Sequence, residues 1–359
     1  MRQITKNVVA TEYWHQTNDG KIQCDVCPRF CKMQEGQRGF CFIRAAQNAK
    51  VVLTSYGHSS GFCIDPIEKK PLYHFFPGSP VLSFGTAGCN LGCKFCQNWD
   101  MSKSRQMDRM ADKASPADIA KVALLHSCSS VAFTYNDPVI FLEYAIDTAI
   151  ACHAKDIKNV AVTAGYITGK AREDFFAHID AANVDLKSFN EDFYWKLTGA
   201  HLQDVLETLQ YIHDQTNIWL EITTLLIPDE NDSDREIDKM SEWIVTNLSP
   251  DVPLHFSAFH PDWKLRDKLS TPFATLTRAR DIARKNGLNH VYTGNVSDAK
   301  STSTYCVNCG ALLIERDRYA LGFWGLDTQG NCAKCQTPIA GIFAKRPGNW
   351  GSRYQRIRI

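Results

Sequence analysis

A surplus of charge of either sign is nearly absent from this sequence: 40 Lys and Arg stand against 39 Asp and Glu, leaving +1. A near-neutral chain sets up no global field to draw in nucleic acid or an anionic membrane, so neither is expected as a partner. Also missing is any uninterrupted apolar run near the roughly 18 residues that suggest a membrane span. The opening stretch MRQITKNVVATEYW lacks the apolar centre of a secretory signal. These absences make a soluble cytoplasmic protein the expectation. No internal repeat or low-complexity segment interrupts the 359 residues. With 44% hydrophobic and 22% charged residues, the balance suits one large domain with small additions.

Cysteine, by contrast, is plentiful: there are 14. Disulfide scaffolds belong to small secreted chains, and this chain is neither. Eleven of the cysteines fall into three clusters with the short C-x2-C or C-x3-C steps of metal ligation. Cys63, Cys128 and Cys152 are left over and read as small buried hydrophobes. The first cluster, Cys24-x2-Cys27-x3-Cys31-x9-Cys41, lies in an N-terminal region over 1–75, with Pro28, Gly36 and Gly39 supplying turns. Its four thiolates make a closed site for zinc or for an iron–sulfur cluster, with free structural thiols as the alternative. The last cluster lies in a module over 299–359, where Cys306-x2-Cys309 and Cys332-x2-Cys335 flank the strand-like stretches ALLIE and YALGFW. That is a zinc-ribbon pattern, in which a metal substitutes for core. The basic tail GSRYQRIRI reads as a solvated end.

The middle cluster differs, because Cys89-x3-Cys93-x2-Cys96 offers three thiolates rather than four. It follows the apolar run Val81-Leu82-Ser83-Phe84, with Gly85 and Gly88 letting the backbone wrap something bulky. A [4Fe–4S] cluster takes four thiolates, so three leave one iron open; a zinc knuckle completed by a distant residue is the alternative. Iron and sulfur would imply a reducing, oxygen-poor compartment.

From 76 to 298 apolar strand patterns alternate with helical ones. The strands expected are Val81–Phe84, Ser130–Thr134, Asn159–Thr163, Asn183–Leu186, Ile218–Leu226 and Leu254–Phe259. Several are almost continuously apolar, as strands buried on both faces must be. Helix starts are marked by Ser115-Pro116-x-Asp118, Ser233-x-x-Glu236 and Thr271-Pro272. After the last of these, Leu276, Ala279, Ile282 and Ala283 recur at helical spacing and would bury one face. Regular strand–helix alternation predicts an α/β fold with a parallel sheet. Six units are too few to close an eightfold barrel, so the prediction is an open, partial (β/α)6 barrel of the TIM type.

C-x3-C-x2-C with an aromatic, Phe95, between the last two cysteines resembles the signature of the radical S-adenosylmethionine (SAM) enzymes. Further blocks extend the resemblance from about Cys24 to Cys335: DPIEKKPLYHFFPGS (65–79), TYNDP (134–138), VDLKSF (184–189), IPDENDSD (227–234), FHPD (259–262) and TYCVNCG (304–310). Together they look like the activating-enzyme branch, which includes pyruvate formate-lyase activases, and within it the radical SAM component of the AmmeMemoRadiSam system. The resemblance implies a [4Fe–4S] cluster on Cys89, Cys93 and Cys96. It also implies reductive cleavage of SAM to a 5′-deoxyadenosyl radical that abstracts hydrogen from a substrate.

Active sites gather at the C-terminal ends of the strands in such barrels. On the resemblance, Asn136 and Asp137 stand where the family has its Gly-Gly-Glu-type motif, and Asp137 would hold the SAM amino group. Asp185, Lys187 and His260 would line the cofactor's carboxylate and ribose side. Two departures stand out: relatives usually have Glu at Asp137 and Asn at Ala164. Asp185 paired with Lys187 and His260 capping before Pro261 are the purely structural alternatives. The implied substrate is a protein or peptide group, with a glycyl radical enzyme as a second candidate. The implied electron source is an external one-electron donor such as flavodoxin or ferredoxin. A non-catalytic metal-binding adaptor or electron carrier is the rival from another class.

Overall fold

A computed structural model describes residues 4–5, 7–105 and 112–359; of the region expected over 1–75, residues 1–3 and 6 lie outside the described residues. Every expected strand forms. Pro80–Phe84, Ser130–Phe133, Lys158–Thr163, Ala181–Asp185, Trp219–Leu226 and Leu254–Ala258 pair side by side in parallel, in chain order. Val131, Ala132 and Phe133 are fully buried, as the unbroken apolar pattern requires. A seventh parallel strand, Val291–Gly294, extends the sheet beyond the predicted six. Its four residues follow the preceding helix too closely to show a pattern of their own.

On the other side Phe62–Pro66 runs antiparallel to the first parallel strand. Gln355–Ile357 adds antiparallel to that. The tail expected as a solvated end is therefore the sheet's outermost strand, with Ile357 buried. Nine strands result, and among the described residues the two edge strands do not pair, so the barrel stays open.

The helix signals act in different ways. Ser115 and Asp118 form the reciprocal capping box at the start of Pro116–Leu125. Ser233 caps Asp234–Asn247 by accepting from the Glu236 amide. The Glu236 carboxylate, however, turns away and accepts from the Ser188 hydroxyl and the Phe189 amide. Thr271 does not cap Phe273–Lys285; its hydroxyl donates to the Leu226 carbonyl and accepts from the Phe259 amide, tying two strand ends together. Leu276, Ala279 and Ala283 face the core, while Ile282 is only half-buried. No helix among the described residues is long and apolar enough to cross a membrane.

The N-terminal region folds as two small antiparallel sheets. In the C-terminal module, Leu312–Asp317 and Ala320–Trp324 form a hairpin. The module is welded to the barrel. Arg316 is fully buried and donates to the Tyr73 carbonyl at 2.6 Å. His74 accepts backbone donation from the Ile342 amide at 2.7 Å, through its own carbonyl.

Candidate active site

The first parallel strand ends at Phe84 and delivers the three-cysteine loop directly. Side chains at Gly85 and Gly88 would collide with the carbonyl oxygens of Thr134 and Cys41, respectively, and Gly88 also has φ +90°; both positions therefore demand glycine. Cys89, Cys93, Phe95 and Cys96 line one cavity of about 420 Å³ with the ends of the neighbouring strands. The Leu91 amide donates to Cys89 Sγ at 3.4 Å, and Ser102 Oγ lies 3.1 Å from Cys96 Sγ. Burial pushes the Cys89 thiol up to about 12 and raises Cys93 as well, so thiolates here call for a bound cation. No fourth cysteine and no histidine lines the cavity among the described residues.

Asn136 is committed to this loop: its Oδ1 accepts from the Thr86 amide and its Nδ2 donates to the Gly88 carbonyl at 2.8 Å. Asp137 is buried and lines the cavity. Its Oδ1 accepts from the Val139 amide and from Thr163 Oγ1, and its Oδ2 accepts from the Ala164 amide at 3.0 Å. Burial pushes its carboxyl up to about 6 against these donors and the charge of Lys187. Oδ2 retains capacity for a cationic donor. Ala164, which has no side-chain amide to offer, serves through its backbone N–H.

Asp185 and Lys187 both line the cavity and pair at 2.9 Å. Burial works against the Lys187 charge, but Asp185 and Cys93 raise its pKa overall. The Lys187 carbonyl is held by Asn231 Nδ2 at 2.7 Å, which explains the IPDENDSD block. Thr223 lines the cavity with a buried hydroxyl that has no hydrogen-bond partner.

His260 is the exception among the expected residues. It is exposed and does not line the cavity. Ser257, on the same strand, does. The FHPD block acts through Asp262, which accepts from Trp99 Nε1 at 2.9 Å, while Trp99 stacks on Trp263 at 4.9 Å. These contacts clasp the segment just after the cysteine loop.

Sequence reasoning missed one wall of the cavity. Lys69, Lys70, Pro71 and Tyr135 line it, and Tyr319 of the C-terminal module completes it. Fully buried Asp65 accepts from Lys70 Nζ at 2.8 Å, Lys69 Nζ at 3.0 Å and the Tyr135 hydroxyl at 2.9 Å. Burial opposes the Asp65 charge, but the two ammonium groups hold it down at about 2. Cys63 is no inert hydrophobe, since its sulfur lies 2.6 Å from the same Tyr135 hydroxyl; Cys128 and Cys152 are buried as expected. An acid four and five residues ahead of Lys69-Lys70 was the available signal. A second recess of about 310 Å³ shares Lys69, Pro71, Ser257, Asn295 and Tyr319 with this cavity and is also lined by Arg318.

The C-terminal set forms a compact site. Cys306, Cys309, Cys332 and Cys335 have sulfurs all within 4.8 Å of one another. Two of the pairs stand at 3.5 and 3.8 Å.

The family model of the radical SAM superfamily matches residues 84–240. An uncharacterized protein of Methanocaldococcus jannaschii is 38% identical over 328 residues, covering 91% of this chain and 97% of its own. The 4-hydroxyphenylacetate decarboxylase activating enzyme of Clostridioides difficile is 19% identical over 280 residues, covering 73% and 86%. Among solved structures, a radical SAM methyltransferase from Sphaerobacter thermophilus is 13% identical, with a TM-score of 0.49 over 86% of this chain and 81% of that one.

Proposed function

The chain belongs to the radical SAM superfamily of enzymes, and on that premise we propose that it abstracts hydrogen from a protein or peptide group, using SAM and a [4Fe–4S] cluster held by Cys89, Cys93 and Cys96. The observation that carries this reading is the convergence of three thiols and the polar ends of the neighbouring strands on one cavity. When bound, cluster and SAM supply a one-electron cleavage of a carbon–sulfur bond and the hydrogen-abstracting agent. The chain's residues bind and orient. Lys187 presents a positive charge for the cofactor's carboxylate, Asp137 an acceptor for its amino group, and Asp185 and Thr223 further polar contacts. Phe95 and the clasp of Trp99 on Trp263 limit water at the loop. An external donor of the flavodoxin or ferredoxin class supplies the electron. The zinc-like sulfur spacing of Cys306, Cys309, Cys332 and Cys335 supports a structural zinc ion there.

A substrate larger than a metabolite is favoured by the second recess, which shares Lys69, Pro71, Ser257, Asn295 and Tyr319 with the cavity and is also lined by Arg318 of the docked module. Similarity to the Clostridioides difficile 4-hydroxyphenylacetate decarboxylase activating enzyme makes glycyl radical formation on a partner the second reading. Anaerobic incubation of reduced enzyme with SAM and candidate partner proteins tests both. A paramagnetic glycyl signal or a mass change on the partner is expected. 5′-Deoxyadenosine formation that rises only with a small metabolite overturns the protein substrate.

Asp137→Asn is expected to weaken SAM binding by about 1.5–3 kcal/mol, roughly 10- to 150-fold in Kd, through loss of one charge-assisted contact. The amide oxygen still accepts from Val139 and Thr163, so the 134–139 turn should persist, while the NH2 that replaces Oδ2 no longer accepts from the Ala164 amide. Titration of reconstituted enzyme with SAM reads the effect. Unchanged affinity would show that Asp137 only buckles the turn.

A further inference from the structure

We propose that Cys24, Cys27, Cys31 and Cys41 hold a second [4Fe–4S] cluster, fully ligated by the chain, rather than a structural zinc ion. All four thiols line one recess, together with Arg29, Arg44 and Asn90. Spacing selects the metal. One zinc ion about 2.3 Å from each sulfur holds four thiolates within about 4 Å of one another, as the C-terminal set does. Among the described residues, no other group of three or more His, Cys, Asp or Glu side chains brings its ligand atoms within 4.8 Å of one another. No three of the N-terminal sulfurs therefore lie within 4.8 Å of one another, and the same holds for Cys89, Cys93 and Cys96. A cluster binds each thiolate to a different iron, and that requires the wider frame.

The surroundings suit a cluster as well. Arg44 is only 2% exposed and pairs both Nη atoms with Glu143, yet its Nε is a buried donor without a partner. Inorganic sulfide accepts such donors, and hydrogen bonds to sulfur tune these clusters. The Phe40 amide donates to Cys31 Sγ at 3.4 Å, repeating the Leu91 contact to Cys89. Only a thin wall divides this recess from the central loop: Asn90 lines it and follows Cys89 directly. Arg29 ties that wall down by donating to the Asn90 carbonyl and, at 2.7 Å, to the Gly199 carbonyl. Four protein thiolates leave no iron open to substrate, so electron storage beside the central site is the chemistry left to it.

The test uses the full chain reconstituted anaerobically with iron and sulfide and analysed for metals. Wild-type protein is expected to hold about eight irons, and the Cys89→Ala/Cys93→Ala/Cys96→Ala chain about four. On reduction, that variant should show a paramagnetic cluster signal that SAM does not alter. A Cys31→Ala/Cys41→Ala chain should drop to about four irons while keeping the SAM-responsive signal. Wild type with about four irons and about two zinc ions, or a triple variant with zinc and no iron, overturns the assignment. These counts do not depend on turnover: failure of SAM cleavage would sink the proposed function and leave the second cluster standing.

Discussion

A chain with alanine at Cys89, Cys93 and Cys96 is expected to form no measurable 5′-deoxyadenosine from SAM, a fall of about 10⁶-fold or more in rate. The three thiols are the only cysteines lining the cavity among the described residues, and no histidine there stands ready to replace them. The fold should survive the change. The loop is anchored independently of the sulfurs, by buried Leu91 and Phe95, by Asn136 on Gly88, and by the Gly92 amide on the Thr198 carbonyl at 2.7 Å. Circular dichroism and melting should therefore stay near wild type while turnover vanishes. Residual cleavage in a folded triple variant would remove the central assignment. Wild type that takes up metal but never cleaves SAM would instead make the chain a metal-binding adaptor or electron carrier.

The strands were legible because burial on both faces writes itself as unbroken apolar runs, and the loop because three cysteines at fixed steps have few other uses. What stayed hidden depends on meetings between distant segments. Nothing local in DPIEKKP announces that Lys70 and Asp65 will build a wall with Tyr135, 65 residues on from Lys70. His260 was expected at the cofactor from the resemblance, yet Asp262 two residues later makes the useful contact with Trp99. The spacing of the N-terminal cysteines allowed two metals equally. The same holds for the tail, whose alternating QRI pairs only once Phe62–Pro66 offers an edge. Local pattern fixes an element's type, whereas the neighbour decides its use.

Arg316→Met is expected to destabilise the chain by about 3–5 kcal/mol, because it breaks a fully buried charge network from one side only. In a protein of this size that corresponds to a melting midpoint lower by roughly 4–7 °C. Arg316 donates to Thr304 Oγ1 at 2.8 Å and to the Tyr73 carbonyl at 2.6 Å, with its guanidinium 4.3 Å from the Tyr73 ring centroid. Each of those acceptors would lose a donor out of reach of water. Its Nε lies 3.9 Å from Glu68, too far to offset the burial of that acid, which pushes Glu68 from 4.5 up to about 7 despite the Arg316 charge. Between those two values the folded chain keeps a proton that the unfolded chain has lost. Stability should therefore fall as pH rises from about 4.5 to about 7, by on the order of 3 kcal/mol, and level off above. Glu68→Gln should flatten that slope. Arg316→Met should carry it to higher pH, since the Arg316 charge that lowers the Glu68 pKa is gone. The same substitution loosens the hairpin that holds Tyr319 at the cavity wall, so SAM cleavage should become less tightly coupled to substrate. Thermal melts across pH read the first effect, and the ratio of 5′-deoxyadenosine to modified substrate reads the second. An Arg316→Met chain that melts like wild type, with an unchanged pH slope, would show that the module docks through its other contacts alone.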